Sequence, residues 1–301
     1  IYDTTFFNDL GSVTSYALRL IVNAVAYTAG MSPPHPTDSG EVLLLGDGFT
    51  ESEAALPLME AGFDIAYAGR YDGWDGKFPD PSNYNATLFF DGYYFGNGMD
   101  PNAQQALASA VSAGMGLVAT EWVTYDVLQE TLSTTFGNLL PVFQPVYEEG
   151  RGPTWDVQNA AHPILEGLPS NWSDGEGYSL IAAKESAEVL VTSGTGTPMV
   201  TAWSSPGGKV VHLNHSLTYW NGGLSPEIRR LLVNSLRYVG DLSSVERTAD
   251  FNDDKSVNSL DLIYLLMERG NGTSPADLDE SGTVDSPDVY LFSRDWMKQV
   301  E

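Results

Sequence analysis

The chain lacks cysteine entirely and is poor in basic residues. Because no Cys occurs among its 301 residues, disulfides, thiolate metal sites and thiol nucleophiles are all excluded. Fourteen Lys and Arg stand against 40 Asp and Glu, so the formal net charge is −26, and only five residues are Lys. Such a polyanionic chain disfavours nucleic acid and anionic membranes as partners, and it suits divalent cations and high salt.

Long apolar runs are also missing. No apolar stretch reaches the roughly 18 residues that a membrane-spanning helix needs, so the sequence predicts no membrane span. The first residues, Ile1-Tyr2-Asp3, contain neither Met nor a signal peptide, and we expect the chain to be a processed or excised form. A hydrophobic fraction of 42% still supports a sizeable core, in a length that suits one medium and one small domain.

The C-terminal residues contain a duplicated acidic loop, and the two copies start 27 residues apart. Each copy runs directly into an apolar helical pattern, and Val257 and Val284 at loop position 8 should anchor the loops in a small core. Calcium takes six to eight oxygen ligands at about 2.3–2.6 Å, and this spacing wraps a loop around one ion, so we predict two Ca²⁺ sites. Positions 1, 3, 5, 7, 9 and 12 are Asp250, Asn252, Asp254, Ser256, Asn258 and Asp261 in the first loop, and Asp277, Asp279, Ser281, Thr283, Asp285 and Asp288 in the second.

The loops differ in two ways from the standard calcium-binding hand. Position 12 is Asp rather than Glu, and Lys255 occupies position 6 of the first loop, where Gly eases the sharp turn. Two loop–helix repeats with Asp at position 12 and no entering helix resemble a dockerin module over about residues 246–301. The resemblance implies one calcium ion per repeat and a cohesin-like partner, bound through Ser259, Leu260, Leu266 and Met267 and through Ser286, Pro287, Ser293 and Arg294.

Residues 41–241 alternate short apolar strands with helical segments, and a Pro- and Ser-rich linker at 31–40 precedes them. This alternation predicts an α/β domain with an open, mostly parallel, flavodoxin-like sheet, whose binding crevice lies at the carboxyl ends of the strands. The predicted strands are Glu41–Leu45, Phe63–Ala68, Ala86–Phe90, Gly116–Thr120, Glu188–Thr192, Met199–Ala202 and Lys209–Leu213. The predicted helices run from Thr50 to Ala61, from Pro101 (capped by Asp100) to near Gly114, over Tyr125–Phe136 and over Pro226–Tyr238.

Three segments of this domain are similar to a known superfamily. The run Gly114–Trp122 looks like the strand and sharp turn of the glutamine amidotransferase-like fold, and His162–Pro169 and Gly207–His215 resemble its trehalose-utilisation branch. That family places a nucleophilic Cys, activated by a His, at the sharp turn. Because this chain has Thr120 and Glu121 there, glutamine hydrolysis is excluded.

The candidate catalytic residues are Glu121 and His215, and two interpretations of them stay open. Glu121 with His215 or His212 could form an acid–base or metal-binding pair, or Glu121 could be a hydrogen-bonded carboxylate at an inactive turn. Aromatic residues that follow the predicted strands suit either sugar stacking or the covering of sheet edges. These residues are Trp74, Tyr93, Tyr94, Phe95, Trp122, Trp155, Trp172, Tyr219 and Trp220.

An internal repeat occurs near the N-terminus, where residues 11–30 resemble residues 222–241 at a constant offset of 211. The repeat predicts that residues 1–30 are a strand–helix segment from the end of a preceding homologous domain. Its apolar face must be covered by its own domain or by another subunit. In the second case copies would join head to tail, and a non-closing contact of that kind produces a filament.

These observations favour a secreted or cell-surface calcium-binding protein with a binding or assembly role and a non-catalytic α/β domain. The partners that we expect are a cohesin-like protein or copies of the chain itself, with a glycan as a further ligand. The alternative is a secreted carbohydrate-active enzyme that is attached to a scaffold through its dockerin-like module, and a third interpretation is a surface-layer or filament subunit.

Overall fold

The structure is a computed structural model that describes residues 40–47, 51–61, 63–92, 95–204, 207–217, 224–242, 249–252, 254–271, 274–276, 278 and 283–297. The predicted N-terminal segment 1–30 and nearly all of the linker 31–40 therefore lie outside the described residues, as does Thr50. The chain divides into two compact units, a larger one in the α/β region and a smaller one formed mainly by the residues that follow Leu242.

The larger unit is built on β-sheet. In chain order the described strands are β1 (Gly40–Gly46), β2 (Ile65–Arg70), β3 (Tyr84–Phe89), β4 (Gly116–Thr120), β5 (Val142–Phe143), β6 (Glu149–Arg151), β7 (Thr154–Val157), β8 (Asn171–Ser173), β9 (Gly177–Ser179), β10 (Ala182–Ala183), β11 (Glu188–Ser193), β12 (Pro198–Ser204) and β13 (Lys209–Leu213). Nine of these described strands form one sheet with the order β2-β1-β3-β4-β13-β12-β11-β7-β8. Two short two-stranded sheets, β5 with β10 and β6 with β9, accompany it.

The first five strands in space, β2-β1-β3-β4-β13, pair in parallel and confirm the α/β class. Their order is the flavodoxin-like order, in which the strand sequence reverses between β1 and β3 and opens a crevice at the carboxyl ends. Beyond β13 the sheet continues through β12, β11, β7 and β8, and all of these pairs are antiparallel. This antiparallel extension is a feature that the strand–helix alternation did not indicate.

The described helices are α1 (Glu51–Glu60), α2 (Pro101–Ser112), α3 (Glu121–Leu128), α4 (Thr134–Gly137), α5 (Pro226–Gly240), α6 (Ser259–Met267) and α7 (Ser286–Asp295). The α2 helix begins as predicted, with the Asp100 carboxylate accepting a hydrogen bond from the Asn102 amide. The prediction of one helix over Tyr125–Phe136 is wrong. Two helices replace it, because Glu130 takes a left-handed backbone with φ 61° and the Ser133 hydroxyl caps a new helix at Thr134.

Helix α5 lies closely against the parallel half of the sheet. It buries an apolar stripe formed by Ile228, Leu231, Leu232 and Leu236. At Gly116 of β4 an added Cβ atom would lie 2.4 Å from the carbonyl oxygen of Val239, so only glycine permits this approach. This close packing fixes the position of β4 against α5. It therefore also fixes the position of the turn that follows β4 at Thr120 and Glu121.

The smaller unit contains α6 and α7, which begin at the same position of the two predicted loops. Its described core includes Val257 and Val284, as predicted, together with Leu265 and Phe292. None of the described helices, in either unit, is long and apolar enough to cross a membrane.

Candidate functional site

The turn between β4 and α3 places Glu121 at the carboxyl edge of the parallel strands. Glu121 is the first residue of α3 and is 1% exposed. Its backbone amide donates a hydrogen bond to the carbonyl of His215, which follows β13, at 3.4 Å. The chain therefore passes directly from a strand into a helix at Thr120 and Glu121, and the first helical residue carries a buried carboxyl group.

The Glu121 carboxyl group is bonded on one side only. The Ser179 hydroxyl donates to Oε1 at 3.0 Å, and Oε2 has no hydrogen-bond partner among the described residues. Burial raises the pKa of Glu121 to about 8, and the nearby carboxylates of Glu149 and Glu176 contribute to the rise. Glu121 is thus mostly protonated at neutral pH and can donate a proton or a hydrogen bond.

The imidazole of His215 is occupied by groups other than Glu121. Its Nδ1 accepts a hydrogen bond from the Leu217 amide at 2.9 Å, so Nε2 carries the proton and faces the Asp174 carboxylate at 3.4 Å. Burial alone would raise the pKa of Asp174, but the hydrogen bond from His215, with further bonds from the Glu176 amide and the Ser225 hydroxyl, lowers it to about 2. Of the two interpretations that the sequence left open, the structure does not show a side-chain pair of Glu121 and His215, because His215 pairs with Asp174 and Glu121 bonds to Ser179.

His212, the other histidine that the sequence offered as a partner, lies inside the sheet. It is fully buried on β13 opposite Thr201, and neither of its ring nitrogens makes a hydrogen bond of good geometry among the described residues. Burial lowers the pKa of His212 to about 3, against a small opposing effect of the Thr120 backbone. A neutral imidazole in this position is a core residue and not a general base.

A second group of carboxyls lies at the β1–β3 switch point of the sheet. Asp47 after β1, Asp91 after β3 and Asp126 on α3 are all fully buried. Burial raises the pKa of Asp91 to about 10, with Asp126 and Asp47 adding to the effect, and burial also raises the pKa of Asp126. The Gly96 amide donates to the Asp126 carboxyl at 2.7 Å. The raised pKa leaves Asp91 neutral at physiological pH, which lowers the cost of burying these carboxyl groups near one another.

The first predicted calcium loop is organised around Asp250. Its carboxylate accepts hydrogen bonds from the amides of Asp254 at 3.1 Å and Lys255 at 2.8 Å. Lys255 takes the left-handed conformation, with φ 67°, at the position where calcium loops normally have Gly. Asn258 caps α6 by accepting from the Leu260 amide at 2.9 Å. The backbone therefore makes the sharp turn that the loop pattern requires.

The two repeats share one hydrogen-bond pattern at loop position 12. Asp261 accepts from the amides of Phe251 at 2.7 Å and Asn258 at 2.9 Å, and Asp288 accepts from those of Leu278 at 2.6 Å and Asp285 at 2.7 Å. In each pair, one bond ties the start of the helix to the second residue of its loop, and the other closes the cap of the helix at loop position 9. The duplication that was inferred from spacing is thus a structural one.

The donor set of the first loop fits a hard cation in chemistry, since every candidate ligand offers oxygen. Within the described residues, however, no three Asp, Glu or His side chains converge on one point that could hold an ion. Asp277, Asp279 and Ser281 of the second loop lie outside those residues. Thr283 is exposed and Asp288 is buried.

The predicted partner-binding positions are mostly on the surface. Leu260, Leu266 and Met267 of α6 are exposed, and Met267 is 79% exposed. Ser259, Ser286 and Ser293 are also exposed, whereas the side chains of Pro287 and Arg294 are not among those that the structure describes.

The sequence analysis missed two residues of the candidate site, Ser179 and Asp174. Each contacts its partner across more than 40 residues of chain, 58 for Ser179 with Glu121 and 41 for Asp174 with His215.

No family model matches the chain, and no curated protein matches it. Several solved structures, however, are similar to it in fold. A cytoplasmic protein from Salmonella typhimurium is similar at 16% identity, with a TM-score of 0.56 over 66% of this chain and 98% of its own. A second one, from Salmonella typhimurium LT2, has 17% identity and a TM-score of 0.50 over 66% and 99%. A putative ThuA-like protein from Parabacteroides merdae has 14% identity and a TM-score of 0.49 over 67% and 90%. At these identities the first two likenesses support the α/β fold alone and carry nothing about activity.

Proposed function

We propose that this chain is an extracellular, calcium-dependent docking protein whose α/β unit binds without catalysing a reaction. The observation that carries the proposal is the repeated tie at Asp261 and Asp288, each of which joins a helix to an acidic loop in the same way. One calcium ion in each loop would make the smaller unit a dockerin-like module. Calcium loops of the weaker kind suit the calcium levels outside the cell, which favours a secreted or cell-surface location.

Calcium would act by holding together carboxylates that otherwise repel one another. In the first loop Asp250, Asn252, Asp254, Asn258 and Asp261 would supply side-chain oxygens, and Ser256 its carbonyl. The second loop would use the equivalent positions, from Asp277 to Asp288. The core of the smaller unit is small, so metal binding and folding should be coupled.

The exposed faces of α6 and α7 would form the docking surface. Leu260, Ile263 and Met267 recur at helical spacing on α6 and are exposed, as are Val289 and Tyr290 on α7. Apolar side chains at such spacing are costly to leave in water and gain by burial against a partner. We propose a cohesin-like protein or a second copy of the chain as that partner.

The absence of an activated nucleophile at the sharp turn supports the non-catalytic part of the proposal. Glu121 is mostly protonated at neutral pH, and the two ring nitrogens of His215 are bonded to Leu217 and Asp174.

A second candidate function is that of a secreted carbohydrate-active enzyme. One feature favours it, the raised pKa of Glu121 near the carboxylates of Glu149 and Glu176. Such a group could act as a general acid. Hydrolysis of aryl glycosides that Glu121→Gln abolishes would support this enzyme over the binding protein.

The first test is calcium binding by isothermal titration calorimetry on the full chain. We expect two ions per chain, falling to one or fewer in Asp250→Ala, with Glu185→Gln, an exposed acid outside the loops, unchanged. No calcium binding, or an Asp250→Ala variant with wild-type stoichiometry, would contradict the proposal.

The second test is light scattering after size exclusion, in calcium and then in chelator. Growth into larger species only in calcium, which Met267→Asp prevents, would identify copies of the chain as the partner. A monomer in both conditions that binds an immobilised cohesin domain in calcium would identify the cohesin-like partner. A monomer that binds no cohesin would count against the docking role.

A further inference from the structure

A platform of four aromatic rings lies in the larger unit, formed by Phe95, Trp122, Tyr125 and Tyr147. Phe95 stacks on Trp122 with ring centroids 4.3 Å apart and an interplanar angle of 19°. Tyr125 meets both rings edge-on, and Tyr147 packs against Tyr125 at 5.1 Å. Phe95 is 44% exposed and Tyr147 is 49% exposed. The rings at the two ends of the platform therefore present apolar surface to solvent.

The platform is held in place before any ligand arrives. Trp122 and Tyr125 project from one helix, α3, and the buried Asp126 of the same helix accepts the Gly96 amide at 2.7 Å. This hydrogen bond fixes the turn that carries Phe95 against the helix. A rigid set of rings loses little conformational entropy on binding, which is typical of a built site rather than of loose surface residues.

Polar groups lie along one side of the platform. The Tyr147 hydroxyl donates to the exposed carboxylate of Glu149, and Glu149 pairs across β6 and β9 with Ser179. Ser179 in turn donates to Glu121, whose second oxygen has no partner among the described residues. The platform thus stands beside a hydroxyl acceptor, Glu149, and a buried carboxyl group that is mostly protonated at neutral pH.

We propose that this platform is a binding site for a neutral saccharide. The apolar C–H faces of sugar rings in an oligosaccharide would lie on Phe95 and on Tyr147, and sugar hydroxyl groups would donate to Glu149. Aromatic faces with a few fixed polar groups at their edge are what small-ligand sites require. The platform belongs to the larger unit and the calcium loops belong to the smaller one, so the proposed docking function neither depends on the platform nor supports it.

Other occupants fit the surroundings less well. The carboxylates of Glu149 and Glu176 and the net charge of −26 repel acidic polysaccharides and nucleic acid. A protein partner would bury the carboxylate of Glu149, whereas charged residues are depleted in interface cores. A quaternary ammonium ion needs several open ring faces around it, and here the rings cover one another by stacking and by edge-to-face contact.

The test is titration calorimetry of the full chain with cellohexaose, xylohexaose, mannohexaose and maltohexaose, and with hexagalacturonate and choline as charged probes. We expect at least one neutral oligosaccharide to bind, in calcium and in chelator alike. Phe95→Ala and Tyr147→Ala should each weaken that binding about tenfold, since each removes one stacking surface. Both side chains are half exposed, so the variants should remain folded, which circular dichroism checks.

The matched control is Phe78→Ala, which removes an exposed ring that is 60% accessible and belongs to no part of the platform. Its affinity for the same oligosaccharide should equal that of the wild type. The proposal is overturned if none of the four neutral oligosaccharides binds, if both platform variants bind as the wild type does, or if hexagalacturonate or choline binds more tightly. None of these outcomes alters the calcium stoichiometry, so the two proposals fail independently.

Discussion

The buried carboxyl group of Glu121 makes the stability of the larger unit depend on pH. In the folded chain the pKa of Glu121 rises from its ordinary value of 4.5 to about 8, chiefly through burial. Between those two values the folded state binds more protons than the unfolded state, so the stability is fully present below the unfolded pKa and is lost as pH rises through the folded one. At 1.36 kcal/mol per pKa unit, a difference of about 3.5 units corresponds to roughly 5 kcal/mol in total.

Glu121→Gln tests this reasoning because the amide stays neutral and its oxygen can still accept from Ser179. Near pH 5 the variant and the wild type should have similar free energies of unfolding. Towards pH 8 the wild type should become less stable than the variant by about 3–4 kcal/mol. The assay is urea unfolding of both chains at fixed calcium, in steps of one pH unit.

Glu185→Gln, a change at an exposed carboxylate, is the control and should follow the wild type at every pH. The reasoning is refuted if the unfolding free energies of Glu121→Gln and the wild type run parallel from pH 5 to pH 8. It would also be refuted if the variant were the less stable chain at pH 8, because the ionised carboxylate of Glu121 would then stabilise the fold.

Three further predictions concern single residues. Asp91→Asn should stabilise the larger unit at pH 8 by a few kcal/mol in urea unfolding, because burial raises the pKa of Asp91 to about 10, so folding at pH 8 must bind a proton that the neutral amide does not need. Gly116→Ala should lower the melting temperature and destabilise by roughly 1–3 kcal/mol, since the added Cβ would lie 2.4 Å from the Val239 carbonyl. Lys255→Gly should stabilise the smaller unit by about 0.5–1 kcal/mol and tighten calcium binding in calorimetry, because it relieves a left-handed backbone with φ 67°.

Local signals in the sequence were sufficient for the parallel half of the sheet. The strand Gly116–Thr120 has the bounds that its apolar run predicts, and α2 begins at Pro101 behind its Asp100 cap. The apolar run that marks the strand and the cap that marks the start of the helix both lie within a few consecutive residues, so the sequence alone shows them. The helix break at Glu130 could not be predicted, because the apolar period continues through it.

The antiparallel half and the surroundings of Glu121 depend on contacts between distant residues. Strands β7 and β8 are short, and they are joined by the stacked rings of Trp155 and Trp172, whose centroids lie 5.4 Å apart. Nothing in the sequence of either strand indicates that the two strands pair. The same holds for Ser179 and Asp174, which decide that Glu121 is a hydrogen-bonded acid and that His215 is not its base.

The two units should differ in what controls their stability, and this contrast separates their roles. Protonated Glu121 and Asp91 favour the larger unit at mildly acidic pH, so raising the pH from 5 to 8 should lower its melting transition in calorimetry. Metal binding should stabilise the smaller unit, so calcium should raise its melting transition and chelator should lower it. Glu121→Gln should shift only the first transition at pH 8, and Asp250→Ala only the second. A shift of both transitions by each variant would contradict independent unfolding of the two units.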